Sequence, residues 1–225
     1  RERSTHIIQT HDLPGFLGAP ILDLSTFATQ LLEQAGIRVN ALTSLERQRL
    51  LQRCIHQLAA ADQLDMLKVA PDTAGLINHL LQIITQLKQA AIDPETFAQK
   101  LLSRADATDE DILISRVYTA YQEQLRTLLR HDVPGLFWEA TLQCEGARPA
   151  LIPEGHTLLL DGFDDFTPSE FRFLQALEPH LDTLVFGINY DDRPDRLDCH
   201  ALTQRTVQQI RKAFDVTPIT IEAPA

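Results

Sequence analysis

Three aspartates follow a short apolar run in the C-terminal third of the chain. The run is Leu-Leu-Leu at 158–160, and the acids are Asp161, Asp164 and Asp165. Carboxylate oxygens suit Mg²⁺, which commonly bridges a protein acid and nucleotide phosphates. An apolar strand would hold Asp161 in place and partly desolvate it, which strengthens its attraction for a cation. One interpretation is therefore a strand-end Mg²⁺–nucleotide site of the Walker B kind.

A plainer interpretation of the same residues stays open. Three apolar residues followed by an acid is a frequent chance pattern. Asp164 and Asp165 also precede a helix, where negative charge favours the helix N-terminus. In that case the segment is an ordinary polar loop.

Sequence signals around the acids predict a strand–helix–strand unit. Thr167, Pro168 and Glu170 have the types and spacing of a capping box with proline in the first helical turn. A second apolar run at 183–188 is typical of a buried strand. Two strands joined by a helix should run parallel, which would put Asp161 at the sheet edge where such folds bind ligands.

Residues 24–150 show helical periodicity instead. Apolar positions recur at helical spacing through six segments, and an acidic stretch at 106–111 is predicted to be a turn before the fifth. Short strands are predicted at 6–9 and 217–221. We therefore expect a mostly helical α/β protein: a parallel sheet piece from 1–23 and 151–225, interrupted by an all-helical insertion at 24–150.

Composition narrows the classes of protein. A formal net charge of −11 and a pI of about 5.1 argue against a surface that coats nucleic acid throughout, though a local basic groove is compatible. On the helix predicted from residue 202, Arg205, Arg211 and Lys212 could contact a phosphate backbone, but a solvated helical face is the far commoner role of such a group. Three cysteines without metal-ligand spacing, and no apolar stretch near the ~20 residues of a membrane span, favour a cytoplasmic protein with reduced thiols.

The chain has no phosphate-binding loop of the form G-x-x-x-x-G-K-[ST], since none of its four lysines follows a glycine. Its sole methionine is Met66, which favours a piece of a longer protein. We expect any nucleotide site to be completed by residues before Arg1, and the fragment alone to be catalytically silent and without a cofactor.

The segment 158–171, LLLDGFDDFTPSEF, resembles the Walker B region of AddB-type subunits of bacterial ATP-dependent helicase–nucleases, relatives of the UvrD/Rep helicases. Residues 20–36, and Tyr118 and Tyr121 before Asp132, are similar to the two ends of the helical 1B subdomain in that family. The resemblance implies that the parallel sheet piece is P-loop-NTPase-like. It also implies ATP and Mg²⁺ in the parent protein, with Asp161 as the metal ligand and Asp165 as a second cofactor-site residue.

The same resemblance implies a DNA-handling or scaffolding role in double-strand break repair and recombination, beside a partner subunit that is the main motor. Active helicases of this superfamily carry an Asp-Glu pair, but Gly162 follows Asp161 here. The site is therefore expected to be degenerate. Two alternatives remain: a non-enzymatic helical protein-interaction module, and a metal-dependent hydrolase that uses Asp161, Asp164 and Asp165 together.

Overall fold

The computed structural model describes residues 21–64, 73–189 and 201–214, together with 216 and 219. Within them the protein is mostly helical, with one two-stranded parallel sheet. The helices are α1 (Leu24–Gln34), α2 (Ser44–Ala60), α3 (Ala74–Gln89), α4 (Pro94–Leu102), α5 (Asp109–Thr127), α6 (Val133–Cys144), α7 (Pro168–Leu177) and α8 (Ala201–Ala213). The strands are β1 (Thr157–Asp161) and β2 (Thr183–Gly187).

Side-chain caps set where several helices begin. Thr167 and Glu170 form the predicted capping box of α7, with Pro168 in the first turn, and Thr43 caps α2 in the same way. The turn predicted at 106–111 is wrong in its second half, because α5 already begins at Asp109. Thr108 and Asp111 form a capping box there, so the acids belong to the first turn of the helix, where its dipole favours them.

The predicted strand–helix–strand unit is confirmed. β1 and β2 pair in parallel, with Leu160 opposite Phe186 and Asp161 opposite Gly187. Leu160 is buried on the face of the sheet that packs against the helices. On the opposite face, Leu159 and Val185 are partners in the register and are 62% and 40% exposed, so this face of the pair is open within the described residues.

Two apolar clusters form the interior. The sheet cluster joins α1, α6, β1, α7 and α8, and its fully buried members include Ala28, Leu32, Phe173 and Leu174. The helical cluster joins α2, α3 and α5, and it includes Tyr118 and Tyr121, both completely buried. Trp138, on α6, packs against the helical cluster, although most of that helix belongs to the sheet cluster.

The two chain segments that connect the clusters lie side by side at Ala41 and His131. Ala41 and His131 form an isolated parallel bridge, in which Leu42 N donates to His131 O at 2.8 Å and His131 N donates to Asn40 O at 3.1 Å. Residues 42–130 therefore leave and rejoin the rest of the molecule at one point. Helices α1 and α6 pack with the sheet, so the boundary between the two apolar clusters lies near residues 41 and 131. The domain division at 24 and 150 is a different boundary and stays a prediction.

Some expectations fall on residues outside the described ranges. These are the strand predicted at 6–9, Cys199, and the strand predicted at 217–221. Of that last segment only position 219 is described. Cys54 and Cys144 are free and buried. In the ranges that the structure covers, no helix has the length and apolar character needed to cross a membrane.

Candidate functional site

Asp161 is the last residue of β1 and lies at the carboxyl end of the parallel pair. The preceding residue, Leu160, is buried and anchors the strand in the sheet cluster, whereas Asp161 is exposed. Burial on one side of the strand thus fixes the backbone from which the carboxylate projects into solvent. This is the position that the sequence predicted for a ligand-binding acid.

Two glycines shape the surroundings of this carboxylate. A Cβ added to Gly187, across the sheet, would lie 2.8 Å from Asp161 Oδ1, closer than such atoms approach in real proteins. The absence of a side chain at Gly187 therefore leaves the space that the carboxylate occupies. Gly162 follows with a φ of +79°, a backbone conformation that favours glycine and turns the chain away from the strand.

Asp164 and Asp165 lie in the loop between β1 and α7, and both are exposed. Thr206, on α8, donates to the carbonyl oxygen of Asp164 at 2.8 Å. Phe163 and Phe166 stack with ring centroids 4.9 Å apart, and Phe166 also meets Phe186 at 6.1 Å. The loop backbone is thus tied to β2 and α8, while its two carboxylates face solvent.

The ring contacts extend beyond the loop as one aromatic cluster. Phe171 and Phe186 each pack against Phe214 at the end of α8, with centroids 5.4 and 5.3 Å apart. Sequence reasoning missed this cluster, although the chain holds ten phenylalanines. Its effect is to fix the path from strand end to helix, which is a requirement for holding any ligand there.

The three aspartates do not form a metal site by themselves. Among the described residues, no group of three or more histidine, cysteine or acidic side chains is arranged to hold a metal ion. The hydrolase alternative, which needs Asp161, Asp164 and Asp165 together, is therefore not supported. A single strand-end carboxylate remains compatible with a cation that takes its other ligands from nucleotide phosphates and water.

A second polar site lies inside the molecule. Lys88 Nζ and Asp132 Oδ1 are 2.5 Å apart, and both side chains are completely buried. Lys88 also donates to Gln122 Oε1 at 2.9 Å and lies over the ring of Trp138, 5.3 Å from its centre. Asp132 in turn caps α6 by accepting from Gly135 N at 3.0 Å.

Burial dominates the electrostatics of this inner site. It lowers the pKa of Lys88 by disfavouring the ammonium form, and the attraction of Asp132 opposes that effect. Burial also raises the pKa of Tyr118 and Tyr121, with the Asp132 charge as a further cause. Tyr118 donates to Ile92 O at 2.8 Å, so this group is a hydrogen-bonded structural network.

The sequence did contain a signal for the buried lysine. Ile77, Leu80 and Ile84 form the buried stripe of α3, and Lys88 follows Ile84 by four residues on the same face. A lysine in line with an apolar stripe indicates a buried or paired charge. Nothing in the spacing, however, identifies Asp132 as its partner.

Neither of the two described cysteines, Cys54 and Cys144, is suited to act as a nucleophile. Burial raises the pKa of the Cys54 thiol to about 11 and that of Cys144 to about 12. The reactive thiolate is therefore scarce near neutral pH.

Comparisons with known proteins converge on one group. A family model described as "ADDB, N-terminal" matches residues 2–225. A protein of Anoxybacillus flavithermus, named as the B-type subunit of an ATP-dependent helicase/deoxyribonuclease, is 25% identical over 218 residues, which cover 93% of this chain and 19% of that protein. Proteins of the same name from Bacillus velezensis and Natranaerobius thermophilus are 24% and 26% identical, covering 91% and 76% of this chain and 18% and 14% of their own. The chain thus spans about a fifth or less of the length of these curated relatives.

Proposed function

This chain belongs to the ADDB N-terminal family, and from that premise we propose that it is part of an AddB-type subunit of a helicase–nuclease that acts on DNA in double-strand break repair and recombination. Its role there is to handle DNA and to support a partner subunit, which supplies the main motor. The name shared by the relatives, which makes each of them one subunit of an ATP-dependent enzyme, supports both the partner and the use of ATP in the whole complex.

One observation carries the proposal for this part of the protein: an exposed aspartate at the carboxyl end of a strand in a parallel pair. We propose that Asp161 belongs to a P-loop-NTPase-like core and contacts Mg²⁺ that is bound to ATP, with Asp165 as a second member of the site. The space beside Gly187 and the fixed loop after β1 support this assignment. When bound, Mg²⁺ would neutralise phosphate charge.

The same position argues for a degenerate site. An Asp-Glu pair would offer one acid for the cation and one to position water, but the residue after Asp161 is Gly162, which has no side chain. The next acids along the chain, Asp164 and Asp165, lie beyond the turn at Gly162. We therefore propose that this site takes part in nucleotide binding and contributes no catalytic base.

The test is MgATP binding to the full-length protein that carries this chain. A fluorescent ATP analogue would be titrated against the wild type and Asp161→Ala at fixed Mg²⁺. We expect at least about 10-fold weaker binding by the variant, a loss typical of disturbed metal sites. Asp165→Ala should cause a smaller loss.

Glu154→Gln is the matched control, because Glu154 is an exposed acid before the amino end of the same strand. It removes one negative charge without touching the proposed site and should bind as the wild type does. Equal binding by wild type and Asp161→Ala would make the assignment of Asp161 wrong. If neither protein binds MgATP, the interaction-module alternative, which needs no nucleotide, is preferred.

A further inference from the structure

A basic groove lies beside the loop between β1 and α7. It is bounded by the turn after α3 and by helices α4, α7 and α8. Its volume is about 580 Å³. Three cations line it: Lys100 on α4, Arg172 on α7 and Lys212 on α8. Of the described residues that line the groove, none is acidic, although acids outnumber lysine and arginine by 31 to 20 in the chain.

The polar lining is made almost wholly of hydrogen-bond donors that suit phosphate oxygens. Arg172 is followed by Gln175, and Lys212 is preceded by Gln209, so each of the two helices presents a cation and an amide three residues apart on one face. Arg172 is exposed and donates to the carbonyl oxygen of Ala91 at 3.4 Å, which holds its guanidinium across the groove. Lys212 lines the groove, whereas its neighbours on α8, Arg205 and Arg211, do not.

The floor contains an aromatic ring as well. Phe171 is partly buried, and its ring contacts with Phe166 and Phe214 keep it in place. A fixed ring beside a row of cations is the combination by which proteins bind single-stranded nucleic acid without reading its sequence. An acidic protein segment would satisfy the cations alone, whereas a nucleic acid strand would also offer bases to the ring.

We propose that the groove formed by α4, α7 and α8 binds the phosphate backbone of single-stranded nucleic acid through Lys100, Arg172 and Lys212. This inference rests on the DNA-handling role proposed above and specifies the surface that carries it. It is distinct from the site at Asp161, since the three cations belong to helices and not to the strand end.

The experiment compares two triple variants of the full 225-residue chain. The groove variant is K100Q/R172Q/K212Q. The control is R38Q/R49Q/R53Q, which removes the same number of charges from exposed positions outside the groove. Binding to a labelled single-stranded oligonucleotide of mixed sequence would be followed by fluorescence anisotropy over a series of NaCl concentrations.

We expect the groove variant to bind at least about 10-fold more weakly at low salt. The slope of log K against log salt should also become shallower by about 2, because each lost phosphate contact on a single strand contributes roughly 0.7. The control should keep the wild-type slope and bind within about 2-fold. All six positions are exposed, so unfolding midpoints should stay close to the wild type and confirm that each variant is folded.

Three other results would overturn the inference, and they are distinguishable. If the wild type binds the strand and the groove variant binds equally well, DNA handling stands and the groove assignment fails. If the wild type binds no strand even at low salt, the DNA-handling role of this chain fails too. If poly-glutamate of matched length competes as well as the oligonucleotide, through the same three cations, the groove is a site for an acidic protein segment.

Discussion

Two aspartates of this protein share one local feature and differ in burial and pairing. Asp132 and Asp161 each direct a carboxylate oxygen at a glycine, where an added Cβ would come within 2.7 Å of the first and 2.8 Å of the second. Asp132 is 1% exposed and is paired with Lys88, whereas Asp161 is exposed at a strand end. Both carboxylates approach a glycine, and the two acids differ in burial and in what satisfies the charge.

That difference separates a structural acid from a site candidate. The hydrogen bonds and the ion pair of Asp132 come from within the fold, through Lys88, Gly135 and Tyr121. The carboxylate of Asp161 has no such internal donors among the described residues, so it remains available to an external cation. An acid that is placed by packing and left unpaired is therefore the better functional candidate of the two.

The largest effect should come from removing the buried acid. Asp132→Ala leaves the Lys88 ammonium buried without its counter-charge, and it also removes the cap of α6. We expect a loss of about 3–5 kcal/mol in the free energy of unfolding. Urea denaturation followed by circular dichroism would measure it.

The matched comparison is Asp161→Ala, which should change stability by no more than about 0.5 kcal/mol because it lies on the surface. Replacing both buried partners, as in Lys88→Met with Asp132→Leu, should restore much of the stability that Asp132→Ala loses. A loss below about 1 kcal/mol for Asp132→Ala would show that the buried pair contributes far less than such pairs do elsewhere.

The two glycines sharpen the comparison at a smaller scale. In Gly135→Ala the new methyl meets both Asp132 Oδ1 and, at 3.1 Å, Lys88 Nζ, neither of which can leave the interior. Overpacking of this kind costs about 1–3 kcal/mol, which exceeds the gain of up to about 1 kcal/mol from replacing glycine in a helix. The net result should be destabilisation.

In Gly187→Ala the atom nearest to the new methyl is Asp161 Oδ1, and this exposed carboxylate can rotate into solvent. We expect a change within about 0.5 kcal/mol. Thermal unfolding of the two variants side by side would test this pair of expectations. Equal destabilisation would mean that Asp161 is held as firmly as Asp132.

A third aspartate lies between these extremes and gives the smallest effect. Asp23 is exposed but accepts from Ser25 Oγ, Thr26 N and Thr26 Oγ1 at the start of α1, and these bonds lower its pKa from 3.8 to about 2. Because the pKa is depressed in the folded state, the stabilisation is complete above about pH 4 and is lost as the pH falls toward 2.

Asp23→Asn keeps a side chain that can cap the helix but cannot titrate. The variant should therefore lose less stability than the wild type between about pH 5 and pH 2, which thermal unfolding at the two pH values would measure. Identical losses would show that the cap contributes nothing to acid sensitivity.

Local signals in the sequence predicted local structure well. The capping box at Thr167 and Glu170 identified the start of α7, and the two apolar runs beside it predicted the parallel strand pair. The position of Asp161 at the strand end followed from these elements. The helix start depends on residues within a few positions of one another. The strand pair joins residues 26 positions apart, but the single short helix between two apolar runs is enough to predict parallel pairing.

Features that depend on distant residues could not be predicted in the same way. The partner of Lys88 is 44 positions away along the chain, and only the packing of α3 against α6 brings Asp132 to it. The basic groove likewise combines side chains from α4, α7 and α8. The acidic stretch before α5 was misjudged for another reason: charge suggested a turn, but the capping box at Thr108 made those acids part of the helix.

The bridge between Ala41 and His131 has a consequence for how such a protein can change over evolutionary time. Because the chain leaves and returns at one point, a gene segment that encodes residues 42–130 could be gained, lost or exchanged without altering the path of the remaining chain. The buried pair joins Lys88, within residues 42–130, to Asp132, the N-cap residue of α6. A replacement for residues 42–130 would need its own cation for Asp132, so this ionic contact sets a condition of compatibility between the inserted segment and the rest of the chain.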